Sequence, residues 1–325
     1  MKSYSVKKYQ QSDYENWNAF IGQAKNATFL FHRDFMEYHK ERFEDYSLVV
    51  LDNKKWVAVL PANQVENEIF SHQGLTYGGL IYDDSTKLAS VLEIFKSILA
   101  FLNENKIEKL QLKLIPSIYH QKPAEELNYA LFLAQAQLVR RDSLSVLDLS
   151  QNNKVSKIRN RGIQKGISNG LEINEVEDFE LFWNEVLIPN LDKKHDAKPV
   201  HSVEEMHLLK AFFPKNIRQF NVYYNGKIIA GTTIFESSTV AHCQYISKNE
   251  TADNLGSLDF LYHFLITDVF AKKRFFDFGI SNESQGKKLN EGLTYWKESF
   301  GASTIIHDFY EVETKNYFKL NDVLL

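Results

Sequence analysis

Cysteine is almost missing from this chain: Cys243 is the only one in 325 residues. No disulfide can form within the chain, and a reducing compartment is the expected setting. Cys243 lies in an apolar, strand-like run, where the expectation is a small buried thiol. No run of about 18 uncharged apolar residues occurs, which excludes a predicted membrane span. The start, Met1-Lys-Ser-Tyr-Ser-Val-Lys-Lys-Tyr9, has no apolar core and no small-residue cleavage site, so no signal peptide is read and a cytoplasmic location is expected. There is no charge excess either: a net charge of −4 and an isoelectric point near 6.2 argue against a whole-chain nucleic-acid binder, leaving room for a local basic patch. A Walker loop, a Ser-His-Asp signature, an internal repeat and a heptad run are all missing. His195, His201 and His207 are spaced six apart, unlike paired ligands on one helical face, and no metal is expected.

What is present is an ordinary globular composition, 44% hydrophobic, on a chain long enough for two cores. The first half reads as a strand at 4–9, helices at 12–24 and 33–43, and strands at 47–51 and 56–61 joined by Asp52-Asn53. Short strands near 69–70 and 80–82, a helix at 86–104, a strand at 109–115 and a helix at 124–135 complete it. The second half repeats this order in longer form. A strand at 143–149 leads to a helix at 154–168, stopped by Asn169-Gly170. A strand at 171–176, a helix at 178–187, a polar loop from 193 to 202 and a helix at 203–213 follow. Then comes a meander at 217–224, 227–235 and 240–247, whose Asn225-Gly226 is the strongest turn signal in the chain. An apolar helix at 258–270, a strand at 275–279, a helix at 287–300 and a strand at 303–310 close the chain. Domains at 1–140 and 141–325 are expected.

Several stretches carry a family resemblance. Lys198-Pro-Val-His-Ser202 precedes a helix and Phe213-Pro-Lys-Asn-Ile217 follows it. Phe276-Asp-Phe-Gly-Ile-Ser-Asn-Glu283, Leu289-Asn-Glu-Gly-Leu293 and Trp296-Lys-Glu-Ser-Phe-Gly301 come later, and the first half adds Leu75-Thr-Tyr-Gly-Gly-Leu-Ile81. In these motifs and in element order the chain resembles the FemAB-like, tandem-GNAT acyltransferases, bacterial proteins usually described as GNAT-family N-acetyltransferases. The resemblance implies an α/β (α+β) fold of two GNAT-like domains, each a mixed, mostly antiparallel sheet flanked by helices. It also implies acyl transfer to an amine or hydroxyl.

The first expectation is an N-acetyltransferase moving an acyl group from acetyl-CoA, or another acyl-CoA, to an amine of a sugar, cell-envelope precursor or small metabolite. Aminoacyl-tRNA-dependent transfer of the FemAB kind, and a non-catalytic binding module, stay open as alternatives. CoA-using relatives carry a glycine-rich loop, roughly Q/R-x-x-G-x-G/A, whose bare backbone N–H groups cradle a pyrophosphate at a helix head. This chain has Glu250-Thr-Ala-Asp-Asn-Leu-Gly-Ser257 there, with one glycine and two acids, so Gly256 and Ser257 are the phosphate-binding candidates.

In such a fold the cleft opens where the fourth and fifth strands of the second domain splay. On the fourth, His242 and Gln244 alternate onto one face with Tyr245 on the other. His242 has the intrinsic pKa of a base near neutrality. On the fifth, Asp277 sits among Phe275, Phe276 and Phe278, where an ionised carboxylate is expensive unless paired. Tyr295, off the apolar stripe of its helix, is placed where many GNAT enzymes present an acid for the leaving thiolate. His242, Asp277 and Tyr295 are therefore the catalytic candidates, and Asn282 and Asn290 can meet donor polar groups.

Arg159 faces Gly162 and Gly166 on an apolar helix face, which suits a bound carboxylate or phosphate or, equally, a core salt bridge. Lys154, Lys157, Arg161 and Lys165 line the opposite face. His195, Lys198, His201 and Gln244 are read as substrate-side, with Tyr77 beside Gly78 and Gly79 as a wall of an acceptor site. The first domain has no comparable polar constellation and is expected to be non-catalytic.

Overall fold

A computed structural model describes residues 4–195 and 197–324, with the backbone alone at 194 and 195. The chain divides into two compact units, Met1–Asp142 with Ile306–Leu325, and Ser143–Ile305. The last twenty residues, read from sequence with the second domain, thus belong to the first unit.

In the first unit, the strands Tyr4–Lys8, Leu48–Asp52, Lys55–Leu60 and Ile81–Tyr82 form one antiparallel sheet. A second sheet centres on Lys109–Lys113, parallel to Glu68–Phe70 and antiparallel to residues 309–313. Asn63–Val65 and Glu44–Asp45 extend it. Helix Leu88–Glu104 buries Val91, Leu92, Phe95, Ile98, Leu99 and Leu102 at helical spacing, which is why its stripe was legible. The stretch expected as one helix at 33–43 is a helical turn, Arg33–Met36, and a 3₁₀ segment, Glu37–Arg42, kinked at His39.

In the second unit six strands lie in the order Glu172–Val176, Ile217–Tyr224, Lys227–Glu236, Val240–Lys248, Phe275–Ile280 and residues 144–148. Every pairing is antiparallel except Val240–Lys248 with Phe275–Ile280. The hairpin at Asn225-Gly226 forms as expected, Tyr224 opposite Lys227. One sheet face carries the core, including Leu147, Ile234, Cys243, Tyr262, Phe276 and Phe278. Helix Ser257–Phe264 packs on it and ends in a π turn, Leu265–Val269, where a regular helix to 270 was expected. The expected helix from 287 begins later, at Glu291–Glu298, because Lys288–Leu289 pairs with Asn282–Glu283. Likewise helix Ile188–His195 occupies the start of the stretch read as loop. Among the described residues no helix is long and apolar enough to cross a membrane.

Candidate active site

The parallel pairing in the second unit is short. Val240, Ala241 and His242 lie opposite Phe275, Phe276 and Asp277, and beyond that point the pairing stops. Period-two alternation sends Phe276 and Phe278 into the core and Asp277 to the opposite face, directly beside His242. His242 Nδ1 and Asp277 Oδ2 are 2.9 Å apart, with the carboxylate fully buried and the imidazole nearly so. A buried carboxylate paired this way holds the proton on Nδ1, which makes Nε2 the basic nitrogen. The other carboxylate oxygen, Oδ1, accepts from the Gly279 N–H at 2.7 Å. Gly279 has φ +74°, a conformation that favours glycine, and the ladder to the strand at 144–148 loses register there.

Sequence reasoning missed a third group. Lys297, on helix Glu291–Glu298, is 1% exposed and donates to the Gly279 and Ile280 carbonyls at 2.9 and 2.7 Å. Burial pulls its pKa down to about 8, against the opposing pull of Asp277 and Cys243. A lysine followed by the exposed Glu298 gives no period-based sign that it points inward; its place beside the core-packed Trp296 was the available signal.

The expected alternation of His242, Gln244 and Tyr245 is altered by a bulge. Ile234 lies opposite Cys243 and Thr233 opposite Tyr245, so Gln244 is the extra residue and Tyr245 swings to the face of His242. There Tyr245 meets His201, whose Nδ1 is 2.6 Å from the phenol oxygen, and burial raises the phenol pKa to about 12. Gln244 Oε1 is buried without a hydrogen bond. The same face carries a buried polar ladder that the sequence did not announce. Thr233 donates to Gln219 at 2.6 Å, and Gln219 donates to Asn221 at 2.8 Å.

Other expected site residues are placed elsewhere. The Arg159 guanidinium is 2.5 Å from Asp259, which also accepts from Trp296 Nε1 at 3.0 Å; the salt bridge, of the two readings, is what forms. Gly162 and Gly166 are small because another helix lies on them. A Cβ on Gly162 would fall 1.8 Å from the Asp259 carboxylate, and one on Gly256 only 2.1 Å from the Gly162 carbonyl. The helix head at Gly256 and Ser257 is therefore covered, and Ser257 is 2% exposed. An acid lies in its first turn, Asp259, while Glu250 and Asp253 are paired with Lys193 and Lys248. These residues do not fit a CoA pyrophosphate.

Asn282 accepts from the Ser143 backbone and hydroxyl, and Asn290 caps helix Glu291–Glu298 by accepting from the Leu293 N–H. Both side chains are committed locally. Tyr295 is 59% exposed. Lys198 is exposed, and the His195 side chain lies outside the described residues. Tyr77, in the first unit, is buried and donates to Thr28 at 3.1 Å.

No family model matches the sequence, and no curated protein matches it. Solved structures do match. FemX superposes over 98% of this chain and 99% of its own, with 10% identity and a TM-score of 0.66. L-PGS from Bacillus licheniformis covers 82% of this chain and 83% of its own, with 10% identity and a TM-score of 0.55. The C-terminal domain of a putative lysylphosphatidylglycerol synthetase from Agrobacterium fabrum covers 78% and 80%, with 11% identity and a TM-score of 0.53. Such low identities speak for the fold alone: the chain shares the two-domain α/β fold of FemX.

Proposed function

We propose that the second unit is an aminoacyl transferase, moving an aminoacyl group from its ester on tRNA to an amine of a sugar, cell-envelope precursor or small metabolite. The observation that carries the choice of donor is the covered helix head: Gly256 lies against the Gly162 carbonyl, where a CoA pyrophosphate would need open N–H groups. A tRNA ester needs no such cradle. It needs cations for phosphodiesters, and Lys157, Arg161 and Lys165 are exposed along one helix face, with Lys154 exposed just before it, and none has an ion pair among the described residues. Fold likeness to a protein named for making lysylphosphatidylglycerol, itself an aminoacyl ester, points the same way.

In the reaction the acceptor nitrogen attacks the ester carbon, the N–C bond forms and the C–O bond to the ribose breaks. His242, with Nδ1 held by Asp277, takes the amine proton on Nε2 and returns it to the departing ribose oxygen. Lys297 acts as a positioning residue, fixing the Gly279–Ile280 backbone beside the pair. The first unit takes no part in the chemistry. A second reading, acyl-CoA as donor, is favoured by one observation: the pairing of the two strands stops just beyond His242 and Asp277, as a splayed pair flanking a donor arm would.

Thermal unfolding of the full chain with charged total tRNA, and separately with acetyl-CoA, distinguishes the donors. A ligand at about 100 times its Kd adds roughly 2.7 kcal/mol of stability. The expected result is a saturable shift with charged tRNA and none with millimolar acetyl-CoA; the reverse would replace the tRNA reading with the CoA one. With hydroxylamine as surrogate acceptor, His242→Gln and Asp277→Asn are each expected to slow transfer by about 10²–10⁴-fold while tRNA binding persists. Unchanged rates would remove the pair from the chemistry.

A further inference from the structure

The first unit holds a charge that its own side chains leave over. Lys113 lies on the sheet face opposite the core, with Gln111 two residues before it and Phe309 opposite it in register. Phe70 lies opposite Gln111 on the neighbouring strand. Together with Gln73 and His72 these side chains line a shallow depression that is open to solvent. Each charged neighbour is already matched. Arg140 grips Asp142 through two nitrogens, Arg141 grips Asp308, and Lys109 meets Glu311 at 3.0 Å. Lys113 donates to the Leu75 carbonyl and, among the described residues, has no carboxylate partner. Burial, with Arg140 adding to it and Asp142 opposing it, pulls its pKa down to about 8, so it is mostly charged at neutral pH. A half-buried cation with donors to spare is costly unless an anion completes it.

The amides beside it are set in opposite senses. Gln111 gives its NH₂ to Glu68 at 2.7 Å, which leaves its oxygen as an acceptor. Gln73 has its oxygen held by Asn63 Nδ2 at 2.9 Å, which leaves its NH₂ as a donor. An acceptor and a donor side by side match hydroxyl groups, each of which gives one hydrogen bond and takes others. Phe70 and Phe309 add apolar ring surface to the lining, with the Arg140 guanidinium 4.5 Å from the Phe309 ring centroid. His72 stays neutral, its pKa pushed down to about 3 by burial, and its Nδ1 accepts from the Gly74 N–H.

We propose that this depression binds a sugar-sized ring bearing an oxyanion, with the anion on Lys113, hydroxyls on Gln111 and Gln73, and the ring's apolar edge against Phe70 and Phe309. The site lies within the first unit and does not depend on the transfer reaction assigned to the second.

Ligand-observed NMR titration of the full chain with glucuronate and glucose 1-phosphate, and with glucose, acetate and inorganic phosphate as controls, tests it. Saturable binding of either sugar acid below roughly 10 mM is expected, the tighter of the two naming the oxyanion. Neutral glucose and the bare anions are expected to bind at least about ten-fold more weakly. Lys113→Met is expected to cost ten- to a hundred-fold in affinity, roughly the worth of one charge-assisted hydrogen bond. Gln73→Leu, at an exposed position outside the core, is expected to weaken the sugar acids several-fold and leave phosphate unaffected; it carries the test if the Lys113 variant does not fold. No saturable binding, equal binding of bare phosphate, or affinity indifferent to these substitutions would overturn the proposal.

Discussion

Gly256→Ala is expected to destabilise the second unit by about 3–5 kcal/mol, lowering its melting temperature by roughly 6–15 °C. Two costs combine. The backbone at Gly256 has φ +78°, where any residue with a Cβ gives up about 1 kcal/mol. The added carbon would also lie 2.1 Å from the Gly162 carbonyl oxygen, a backbone atom that cannot turn aside. The helices Lys157–Ser168 and Ser257–Phe264 must separate, which pulls Arg159 from Asp259 and Asp259 from Trp296. Gly162→Ala attacks the same contact from the other side, its Cβ 1.8 Å from the Asp259 carboxylate. Because both changes open one interface, the double variant should fall short of the summed losses by about 1 kcal/mol or more. Calorimetry of the wild type and the three variants measures this. A melting point lowered by less than about 2 °C in Gly256→Ala would show that the interface yields freely and that the covered helix head can open.

The second large effect is a pH dependence rooted in Lys297. Its folded pKa, about 8, lies below the ordinary 10.5 because the ammonium is buried. Below about pH 8 the lysine is charged in both folded and unfolded chains, and the fold bears the whole cost of burying that charge. Between about 8 and 10.5 the unfolded chain holds more protons than the folded one, so stability rises with pH. The full span is worth about 3 kcal/mol. Urea unfolding of the wild type and Lys297→Met at pH 7 and pH 10 isolates it, since other titrating groups, Lys113 among them, are common to both. The wild type should gain about 2–3 kcal/mol on the variant between the two pH values. A constant difference would mean that the bonds to the Gly279 and Ile280 carbonyls keep Lys297 protonated throughout.

Much of the fold could be read locally. The meander, its Asn225-Gly226 turn and the phenylalanine-flanked strand at Asp277 are written in period-two patterns and turn chemistry, and all form. Asp277 and His242 each stood out alone, one as a costly carboxylate and one as a base. Their meeting did not, because it depends on a three-residue parallel register between segments 35 positions apart. Lys297 was passed over since lysine is expected in water, and only the packing of its helix turns it inward. Tyr245 was assigned to the wrong face because one inserted residue, Gln244, breaks an alternation that pattern reading takes as continuous. Arg159 fitted an anion site and a core salt bridge equally well in sequence, because the carboxylate that decides it, Asp259, lies a hundred residues later.

The first unit is discontinuous in sequence: Ile306–Leu325 completes a body whose other residues end at Asp142. On the ribosome, the whole of Ser143–Ile305 is made before the strand that flanks Lys109–Lys113 exists. The later-coded unit can therefore mature first, while the earlier one waits with an unpaired strand edge and with Val312 and Leu320 missing from its core. Emergence of residues 306–325, rather than of the amino-terminal half, is the event that lets the first unit close.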